Sequence, residues 1–381
     1  MRIVLLGYIV RGPLGGLCWH HLQYVLALKQ LGHDVLFLED SDDFAGCYNP
    51  NTHEITEDPV YGLRFIDDIF RKFDMADQWC YFDAHQNKWY GLNKQMALAF
   101  CHSADLVINI SGVNPLREWC INISQRILID TDPAFTQIKH LTDNKAMNLA
   151  KAHTHFFSFA ENIGKPLCTV PVDGFHWKPT RQPVYLPAWE KNAVNRSAKW
   201  TTVMQWDSYK EQTFNGTRYG MKSLSFKEFI KLPQKVPGEQ FELAIGSISA
   251  PTEELKSNGW HIISSLIPTQ TPGTYQEYIA KSKAEWSVAK HGYVVSNSGW
   301  FSERSACYLA SGKPVVVQDT GFSENLPTGN GLFCFADMNH IIEHIRRINS
   351  DYAFHCKEAK ELAIAYFDGK KVLGSLLNNL Y

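Results

Sequence analysis

The chain has 381 residues, a formal net charge of -2 at pH 7 and nine cysteines. This length suffices for two α/β domains, and the nearly balanced charge excludes a uniform basic field that would attract nucleic acid or an anionic membrane. The cysteines are scattered and include no Cys-x-x-Cys pair, so we expect reduced thiols in a cytoplasmic protein.

The N-terminal segment predicts a βαβ unit. Its first ten residues are apolar, but the segment 11–13 (Arg-Gly-Pro) ends the run far below a membrane-spanning length, and no small-residue cleavage site precedes it. We therefore interpret it as a strand over 3–7 and not as a signal peptide. A helix ending at Gly32 and a strand over 33–39 follow. The glycine loop 12–16 then lies at the carboxyl end of the first strand, where ligands bind in open α/β sheets.

Residues 41–100 are aromatic-rich and irregular in pattern, with two predicted helices, over 63–73 and 92–101. We expect this stretch to be an elaborated lid or insertion. Further strands over 106–110 and 126–129 and around residue 157 complete a first Rossmann-like lobe. The aromatic residues of the insertion are expected in loops, where they could stack on a sugar or an aromatic acceptor. Most of them are expected to be packing side chains: Trp79, Tyr81, Trp89 and Tyr90.

Four prolines spaced through 170–198 predict a stiff crossing between two domains. A second series of alternating strands and helices follows, and it ends in helices over 338–348, 352–366 and 371–380. The last helix has no further strand to cover, so we expect it to pack back across the first lobe. The strands of the second lobe are predicted over 201–205, 241–245, 261–263, 293–295, 315–317 and 333–335.

The most informative stretch lies over 298–314, between two of these predicted strands. A loop of glycine and hydroxyl residues opens a helix that Ser302 can cap. Such a helix start presents free backbone N–H groups and the positive end of the helix dipole, which together favour a bound diphosphate. An ordinary strand-to-helix turn has the same pattern, so this stretch needs support from the rest of the chain.

Several motifs resemble those of the GT-B glycosyltransferase superfamily. A glycine pair at 15–16 precedes a helix that ends in LGHDV at 31–35, and ASGKPVV at 310–316 precedes TGFSE at 320–324 and GNGLF at 329–333. In the large retaining family of that superfamily, corresponding patterns occur in this order at about these separations.

The resemblance implies an α/β protein with two Rossmann-like lobes that face each other across a cleft, and a C-terminal helix that returns to the first lobe. It implies an N-terminal acceptor-side domain over 1–172, a nucleotide-sugar-binding domain over 173–355 and terminal helices over 356–381. The implied activity is the transfer of a hexosyl group from a nucleotide diphosphate donor to an acceptor hydroxyl of a small molecule or glycan. Net charge and motifs indicate neither nucleic acid nor membrane as partner, and they leave the oligomeric state open.

The chain departs from the known catalytic patterns at two positions. Members of the retaining family carry Glu-x7-Glu, and the corresponding positions here are Gly299 and Cys307. The plant-type inverting family carries HCGWNS, of which SGWFS at 298–302 is a partial match without the histidine. Inverting and retaining outcomes therefore both stay open.

The candidate residues for the donor diphosphate combine a cation, hydroxyls and close backbone approach. Lys222 follows the first strand of the second lobe, near the place where the retaining family has its phosphate-binding lysine. The alternative for Lys222 is a solvated surface lysine, and for Arg304 a cation on the helix surface. Ser302 can be a plain N-cap, and the glycine pair at 15–16 a plain turn. The full set is Gly15, Gly16, Lys222, Ser298, Gly299, Ser302 and Arg304.

Three residues are candidate catalytic bases. Asp130 and Asp132 follow a strand at the edge of the predicted cleft, and His21 lies on the first helix just past the glycine loop, beside His20. The alternatives are a helix cap for the aspartates and a packed or solvated histidine. Glu324 resembles the acidic residue that touches sugar hydroxyls in the retaining family; its alternative is an exposed loop carboxylate.

We expect no metal site and no cofactor, with the nucleotide sugar as co-substrate. His153-x-His155 has no acidic partner nearby in sequence, and Asp130-x-Asp132 is discounted as a metal site in a two-lobed architecture. Other functions stay open: a nucleotide-sugar epimerase, a phosphorylase or a non-catalytic nucleotide-sugar-binding protein. A nicotinamide-dependent oxidoreductase is a further alternative, because Glu39 ends the second strand where a dinucleotide fold has its ribose acid.

Overall fold

The structure is a computed structural model that describes residues 1–43, 45–190 and 195–380. The predicted crossing over 170–198 and the predicted terminal segment over 356–381 each include residues outside these ranges.

The first lobe is a mostly parallel sheet with helices packed on its two faces. Its strands are β1 (Arg2–Leu6), β2 (Asp34–Asp40), β3 (Cys47–Asn49), β4 (Glu54–Thr56), β5 (Trp79–Asp83), β6 (Lys88–Gly91), β7 (Leu106–Ile110), β8 (Gln125–Asp130), β9 (His155–Ser158) and β10 (Trp177–Pro179). Its helices are α1 (Gly15–Gln30), α2 (Val60–Lys72), α3 (Lys94–His102), α4 (Glu118–Ile121), α5 (Phe135–Thr142) and α6 (Asn144–Lys151). The sheet order is β10-β9-β8-β7-β1-β2-β5-β6, in which β5 and β6 pair antiparallel and the other neighbours are parallel, while β3 and β4 form a separate hairpin.

Alternation along β1 shows why this sheet is covered on both faces. Ile3 and Leu5 belong to the hydrophobic cluster that contains the buried residues of α1, whereas Val4 and Leu6 pack with Ala97 of α3. Successive side chains of a strand point to opposite faces, so a continuous apolar run requires a helix layer on each side.

The second lobe repeats this architecture. Its strands are β11 (Trp200–Met204), β12 (Gln212–Phe214), β13 (Thr217–Tyr219), β14 (Phe241–Ile245), β15 (His261–Ser264), β16 (Ala284–Ser287), β17 (Val315–Gln318) and β18 (Leu332–Phe335). Its helices are α7 (Lys222–Phe226), α8 (Leu232–Lys235), α9 (Thr252–Ser257), α10 (Leu266–Thr269), α11 (Pro272–Lys281), α12 (His291–Val295), α13 (Glu303–Ala310), α14 (Met338–Ser350), α15 (Tyr352–Tyr366) and α16 (Gly369–Asn378). The parallel sheet has the order β15-β14-β11-β16-β17-β18, and β12 pairs with β13 in a hairpin.

The predicted strand over 293–295 is wrong, because these residues end α12. The amide and the hydroxyl of Ser296 both donate to the carbonyl of Gly292 and close a helical turn. Val295 is 40% exposed, whereas the strand that precedes the informative stretch, β16, is buried throughout. The β-branched pair at 294–295 favoured a strand, but strand preference depends on burial between neighbouring strands, which this segment does not have.

The aromatic insertion of the first lobe is more regular than expected. Trp79 and Tyr81 lie in β5 and are buried, and Trp89 and Tyr90 lie in β6, which pairs with β5. The hairpin extends the sheet at one edge, so these aromatic side chains belong to packed strands and not to loops.

The two lobes pack closely, and the C-terminal helix returns to the first lobe as predicted. The indole N–H of Trp19 in α1 donates to the carbonyl of Pro272 at the start of α11, at 3.0 Å. Gly369 of α16 lies so close to Ala27 of α1 that an added Cβ would be 2.5 Å from the alanine methyl. Beside this contact, the Val184 amide donates to the Phe367 carbonyl, so the segment that enters the second lobe lies next to the one that leaves it.

Helices long and apolar enough to cross a lipid bilayer are not found among the described residues.

Candidate functional site

A cavity of about 320 Å³ lies between the lobes at the carboxyl ends of their strands. The first lobe contributes Leu14, Gly16 and Leu17 at the start of α1. The second lobe contributes the end of β11, the start of α7, the loop after β16 and the start of α13. Both lobes therefore form the walls of one cavity, and it lies at the carboxyl ends of the strands, where ligands bind in open α/β sheets.

The start of α13 forms one wall of the cavity. Ser302 stands at the N-cap position with extended backbone, and Ser302, Glu303 and Arg304 all line the cavity. The Ser302 hydroxyl makes no capping hydrogen bond to the helix, so it is available to a ligand. The first N–H groups of a helix have no partner within the helix, and the dipole makes this end positive. This wall can bind an anion.

Lys222 is the first residue of α7 and lines the same cavity. Within the described residues, its ammonium has no hydrogen-bond or ion-pair partner. Burial lowers its pKa well below the usual value, and the nearby charges of Arg304 and Lys290 lower it further. A desolvated cation without a counter-ion is costly, and an anion in the cavity removes this cost.

Arg304 lines the cavity, but its guanidinium is mostly engaged by protein. It pairs with the buried carboxylate of Glu285 and donates to the Val203 carbonyl at 2.8 Å and to the Ser287 hydroxyl at 2.9 Å. Two of the five guanidinium N–H groups remain for a ligand. Its charge is compensated by Glu285, unlike that of Lys222.

The glycine pair of the first loop packs against the second lobe. A Cβ on Gly15 would lie 2.2 Å from the Thr271 carbonyl oxygen, and one on Gly16 would lie 3.2 Å from the ring of Tyr275. Gly16 also lines the cavity, but the space beside Gly15 is filled by protein. The absence of side chains therefore lets the lobes approach each other, which differs from the predicted reason of close ligand approach.

The structure does not bring Ser298 and Gly299 to the cavity lining. Ser298 is fully buried, and its carbonyl accepts the Asn162 amide of the first lobe at 3.0 Å. Gly299 has φ 77°, and a Cβ there would lie 2.8 Å from the same amide nitrogen. These two residues form an interlobe contact beside the site.

Asp130 is a structural carboxylate. It is 1% exposed and accepts hydrogen bonds from the Thr136 and Ser158 hydroxyls, the Gln137 amide group and the backbone N–H of Asp132. Burial raises its pKa, and these hydrogen bonds oppose that shift. Asp130 does not line the cavity, and its bonds stabilise the turn after β8.

Asp132, two residues later, reaches across to the second lobe. Its carboxylate accepts Nζ of Lys290 at 2.8 Å and the hydroxyls of Tyr209 and Tyr293. The Lys290 ammonium also lies over the rings of Phe135, Tyr209 and Tyr293. Three donors from the other lobe occupy this carboxylate, so in this arrangement it connects the lobes and has little capacity left to take a substrate proton.

The two neighbouring histidines of α1 have different environments. His21 is fully buried against Gly7 and Phe37, and burial lowers its pKa well below the usual value, so its imidazole is neutral. The structure does not bring it to the cavity. His20 is 4% exposed, and its Nδ1 contacts the carboxylate of Glu303 across the cleft.

Glu303 is the site residue to which sequence reasoning assigned no role. Among the described residues that line the cavity it is the one with a carboxylate. The signal was its position directly after the predicted cap, Ser302. Glu324, the predicted sugar-binding acid, instead lies outside the cavity lining, where it is 3.7 Å from Lys165 and accepts the side-chain amide of Asn297.

A second cavity of about 370 Å³ adjoins the first and shares Leu14, Gln205 and Ser265 with it. The β3–β4 hairpin of the first lobe contributes Tyr48 and His53, and the loops after β14 and β15 form the opposite wall. The two cavities thus provide a continuous elongated site between the lobes.

Glu39, the residue that suggested a nicotinamide-dependent oxidoreductase, has a structural role. Glu39 is fully buried, and its carboxylate accepts the backbone N–H groups of Ile9, Val10 and Arg11 at 2.6 to 2.8 Å. A carboxylate engaged in this way shapes the first loop and is not free to bind a ribose. Across the described ranges, no group of three or more His, Cys, Asp or Glu side chains is arranged to hold a metal ion.

No protein-family model matches the sequence, and no curated protein matches it with significance. Solved structures do match over nearly the whole chain. An α-glucosyltransferase in complex with UDP-glucose and DNA containing an abasic site has 12% identity and a TM-score of 0.61, covering 99% of this chain and 98% of that chain. HepE from Anabaena, in complex with UDP and glucose, has 11% identity and a TM-score of 0.55, covering 100% and 99%. Sucrose-phosphate synthase from Thermosynechococcus elongatus has 14% identity and a TM-score of 0.52, covering 100% and 99%. Together with the two facing lobes and the returning helix, these matches confirm the predicted GT-B fold.

Proposed function

We propose that this protein is a glycosyltransferase that moves a hexosyl group from a nucleoside diphosphate donor to an acceptor hydroxyl. The observation that carries the proposal is the cavity lined by both lobes, in which the start of α13 faces the same space as the Lys222 ammonium, which has no partner among the described residues. A diphosphate would supply negative charge to the Lys222 ammonium and to the positive end of α13. The structural neighbours that contain UDP support a nucleotide donor.

The donor is proposed to extend through both cavities. The nucleoside lies in the second cavity, beside Tyr48 and Gly246, and the diphosphate lies against Lys222, Ser302 and the first amides of α13. As the bond to the sugar breaks, negative charge grows on the departing diphosphate, and these groups stabilise it. Because the chain itself supplies the positive charge that stabilises the departing diphosphate, we propose that the reaction does not require a metal ion.

The acceptor is proposed to be a small molecule or a glycan. One neighbour is described with DNA, but the first-lobe segment over 41–59, part of which lines the second cavity, has five Asp and Glu residues and no Lys or Arg. Proteins bind DNA mainly through Lys and Arg side chains that contact its phosphate groups, and this acidic segment would repel those phosphates. An uncharged or cationic acceptor fits this surface better.

The test combines nucleotide binding with turnover. We expect UDP or GDP, but not NAD, to raise the melting temperature, and UDP-glucose or GDP-mannose to be hydrolysed slowly without an acceptor, with or without EDTA. Donor binding with no hydrolysis or transfer over a long incubation would instead identify a non-catalytic nucleotide-sugar-binding protein. A protein that binds none of these nucleotides would refute the proposal.

A further inference from the structure

The charged groups around the first cavity differ in how far ion pairs within the protein engage them. Asp132 is bound to Lys290, and Arg304 is bound to Glu285. Glu303, in contrast, has a side chain that is 35% exposed and faces the cavity. It is the one carboxylate among the described lining residues, in a wall that otherwise favours anions.

The contact with His20 gives Glu303 a defined position. His20 lies on α1, packs against Tyr24 and Phe159 and contacts one carboxylate oxygen, Oε2 of Glu303. Within the described residues, no hydrogen bond engages the other oxygen, Oε1. Oε2 is therefore in close contact with His20 of the first lobe, although His20 Nδ1 does not have hydrogen-bond geometry towards it, and Oε1 is available to a molecule in the cavity.

The phenol groups near Glu303 remain hydrogen-bond donors. Burial raises the pKa of Tyr8 to about 12, and the charge of Glu303 contributes to this rise. Burial, with a further contribution from Glu303, also raises the pKa of Tyr24 well above its ordinary value. The buried Tyr24 hydroxyl has no hydrogen-bond partner within the described ranges. These phenols therefore add no second negative charge beside Glu303.

We propose that Glu303 binds the hydroxyls of the transferred sugar and that His20 positions its carboxylate. This assignment rests on the proposed function and names the group that selects its donor sugar. It gives Glu303 the task of an acidic residue in a chain whose positions for the Glu-x7-Glu pair are Gly299 and Cys307.

Charge and position favour the sugar over the other parts of the donor. A carboxylate accepts hydrogen bonds from hydroxyls and repels a diphosphate. Glu303 directly follows Ser302, so a group that contacts it adjoins the diphosphate bound at the start of α13. Its side chain points to His20, whereas the second cavity, proposed for the nucleoside, joins the first at Leu14, Gln205 and Ser265.

The experiment compares UDP-glucose with UDP, both titrated calorimetrically into the wild type and into Glu303→Gln. Glutamine keeps the size of the side chain and removes its charge. We expect the dissociation constant of UDP-glucose to rise about 10- to 100-fold, because a hydrogen bond to a charged group is lost. The constant for UDP should change by less than about threefold, because UDP lacks the sugar.

Glu277→Gln is the matched control, since Glu277 is exposed on α11 and pairs with Lys281. It should leave both constants and the melting temperature unchanged. Equal weakening of UDP and UDP-glucose by Glu303→Gln, or no weakening of either, would overturn the assignment while the proposed function stands. A wild type that binds neither ligand, and neither GDP nor GDP-mannose in the same titration, would overturn both.

A pair of His20 variants tests its positioning role. His20→Asn retains a side-chain donor and His20→Ala does not, so UDP-glucose should bind more tightly to the asparagine variant, with UDP binding equal in the two. If the variants differ in melting temperature but not in the ratio of the two dissociation constants, His20 has only a packing role and the positioning claim fails.

Discussion

At the scale of single residues, a charged side chain is informative when the protein leaves it without a partner. Arg304 and Asp132 are held by partners on the protein, whereas Lys222 and Oε1 of Glu303 face the cavity without a partner in the part of the chain that the structure describes. A partly desolvated charge costs free energy unless something compensates it. The two uncompensated groups are therefore those most suited to a ligand.

Replacing Lys222 by methionine should separate stability from binding. The Lys222→Met variant loses a desolvated cation, so its melting temperature should rise, while its affinity for UDP should fall about 10- to 100-fold through the lost charged hydrogen bond. Lys227→Met, at an exposed position on the next turn, is the control and should change neither. A variant that binds UDP as tightly as the wild type would remove Lys222 from the site.

The stability difference between wild type and Lys222→Met should also depend on pH. The folded state lowers the pKa of Lys222, so between that pKa and the ordinary value near 10.4 the unfolded chain binds more protons than the folded one. Wild-type stability therefore rises with pH across this window, and the advantage of the methionine variant should shrink. Melting curves recorded from pH 7 to pH 10 check this; a constant difference would contradict it.

Arg304 is expected to matter for folding more than for donor binding. Arg304→Met leaves the buried carboxylate of Glu285 without its partner, which costs about 3–5 kcal/mol of stability. The double variant Glu285→Gln and Arg304→Met removes both charges and should recover part of that loss. Urea unfolding measures both. If the double variant is less stable than the single one, the ion pair is not the cause.

At the scale of elements, the start of α13 and the loop before α1 form the site because each lies at the carboxyl-end edge of the sheet of its own lobe, and these two edges face each other across the cavity. The hydroxyl and glycine pattern of these strand-to-helix connections predicted both elements. It did not show that Gly15 contacts Thr271 of the other lobe, since that contact joins residues far apart in sequence.

Two glycine-to-alanine variants should change stability in opposite directions. In Gly15→Ala the new methyl overlaps the Thr271 carbonyl, so closed packing of the lobes should cost about 1–3 kcal/mol and UDP should bind more weakly. In Gly374→Ala, on α16, the methyl meets no atom within 4 Å, and the helix should gain about 0.5–1 kcal/mol. Melting curves and UDP titrations test both, and a Gly15→Ala protein with wild-type affinity would contradict the close contact.

At the scale of the whole molecule, the two lobes contact each other around the cavities of the candidate site. Asp132, Trp19 and Gly299 each join the first lobe to the second. Separation of the lobes would widen the cavity, and their closure around a bound ligand would exclude water.

Asp132 should control this separation. Asp132→Ala removes the partner of Lys290, Tyr209 and Tyr293, so the radius of gyration in small-angle scattering should increase without ligand and return towards the wild-type value with UDP. Asp34→Ala, which removes an exposed pair with Arg2, is the control. An unchanged radius would show that the remaining contacts hold the lobes together without Asp132.

Local pattern was sufficient for two α/β lobes, because apolar periodicity and glycine punctuation report the alternation of strands and helices and hence a parallel sheet in each lobe. The GT-B arrangement of these lobes was implied by the resemblance of the motifs to those of that superfamily. Local pattern was insufficient for the site. Asp130 and Asp132 are two residues apart, and His20 and His21 are adjacent, yet in each pair one side chain contacts the opposite lobe and the other is buried within its own. The sequence by itself therefore determined most of the elements and their alternation, although it misassigned 293–295 and did not predict β5, β6 or β16. Only the tertiary structure decided which side chains meet in the cavity, because that depends on the packing of one lobe against the other.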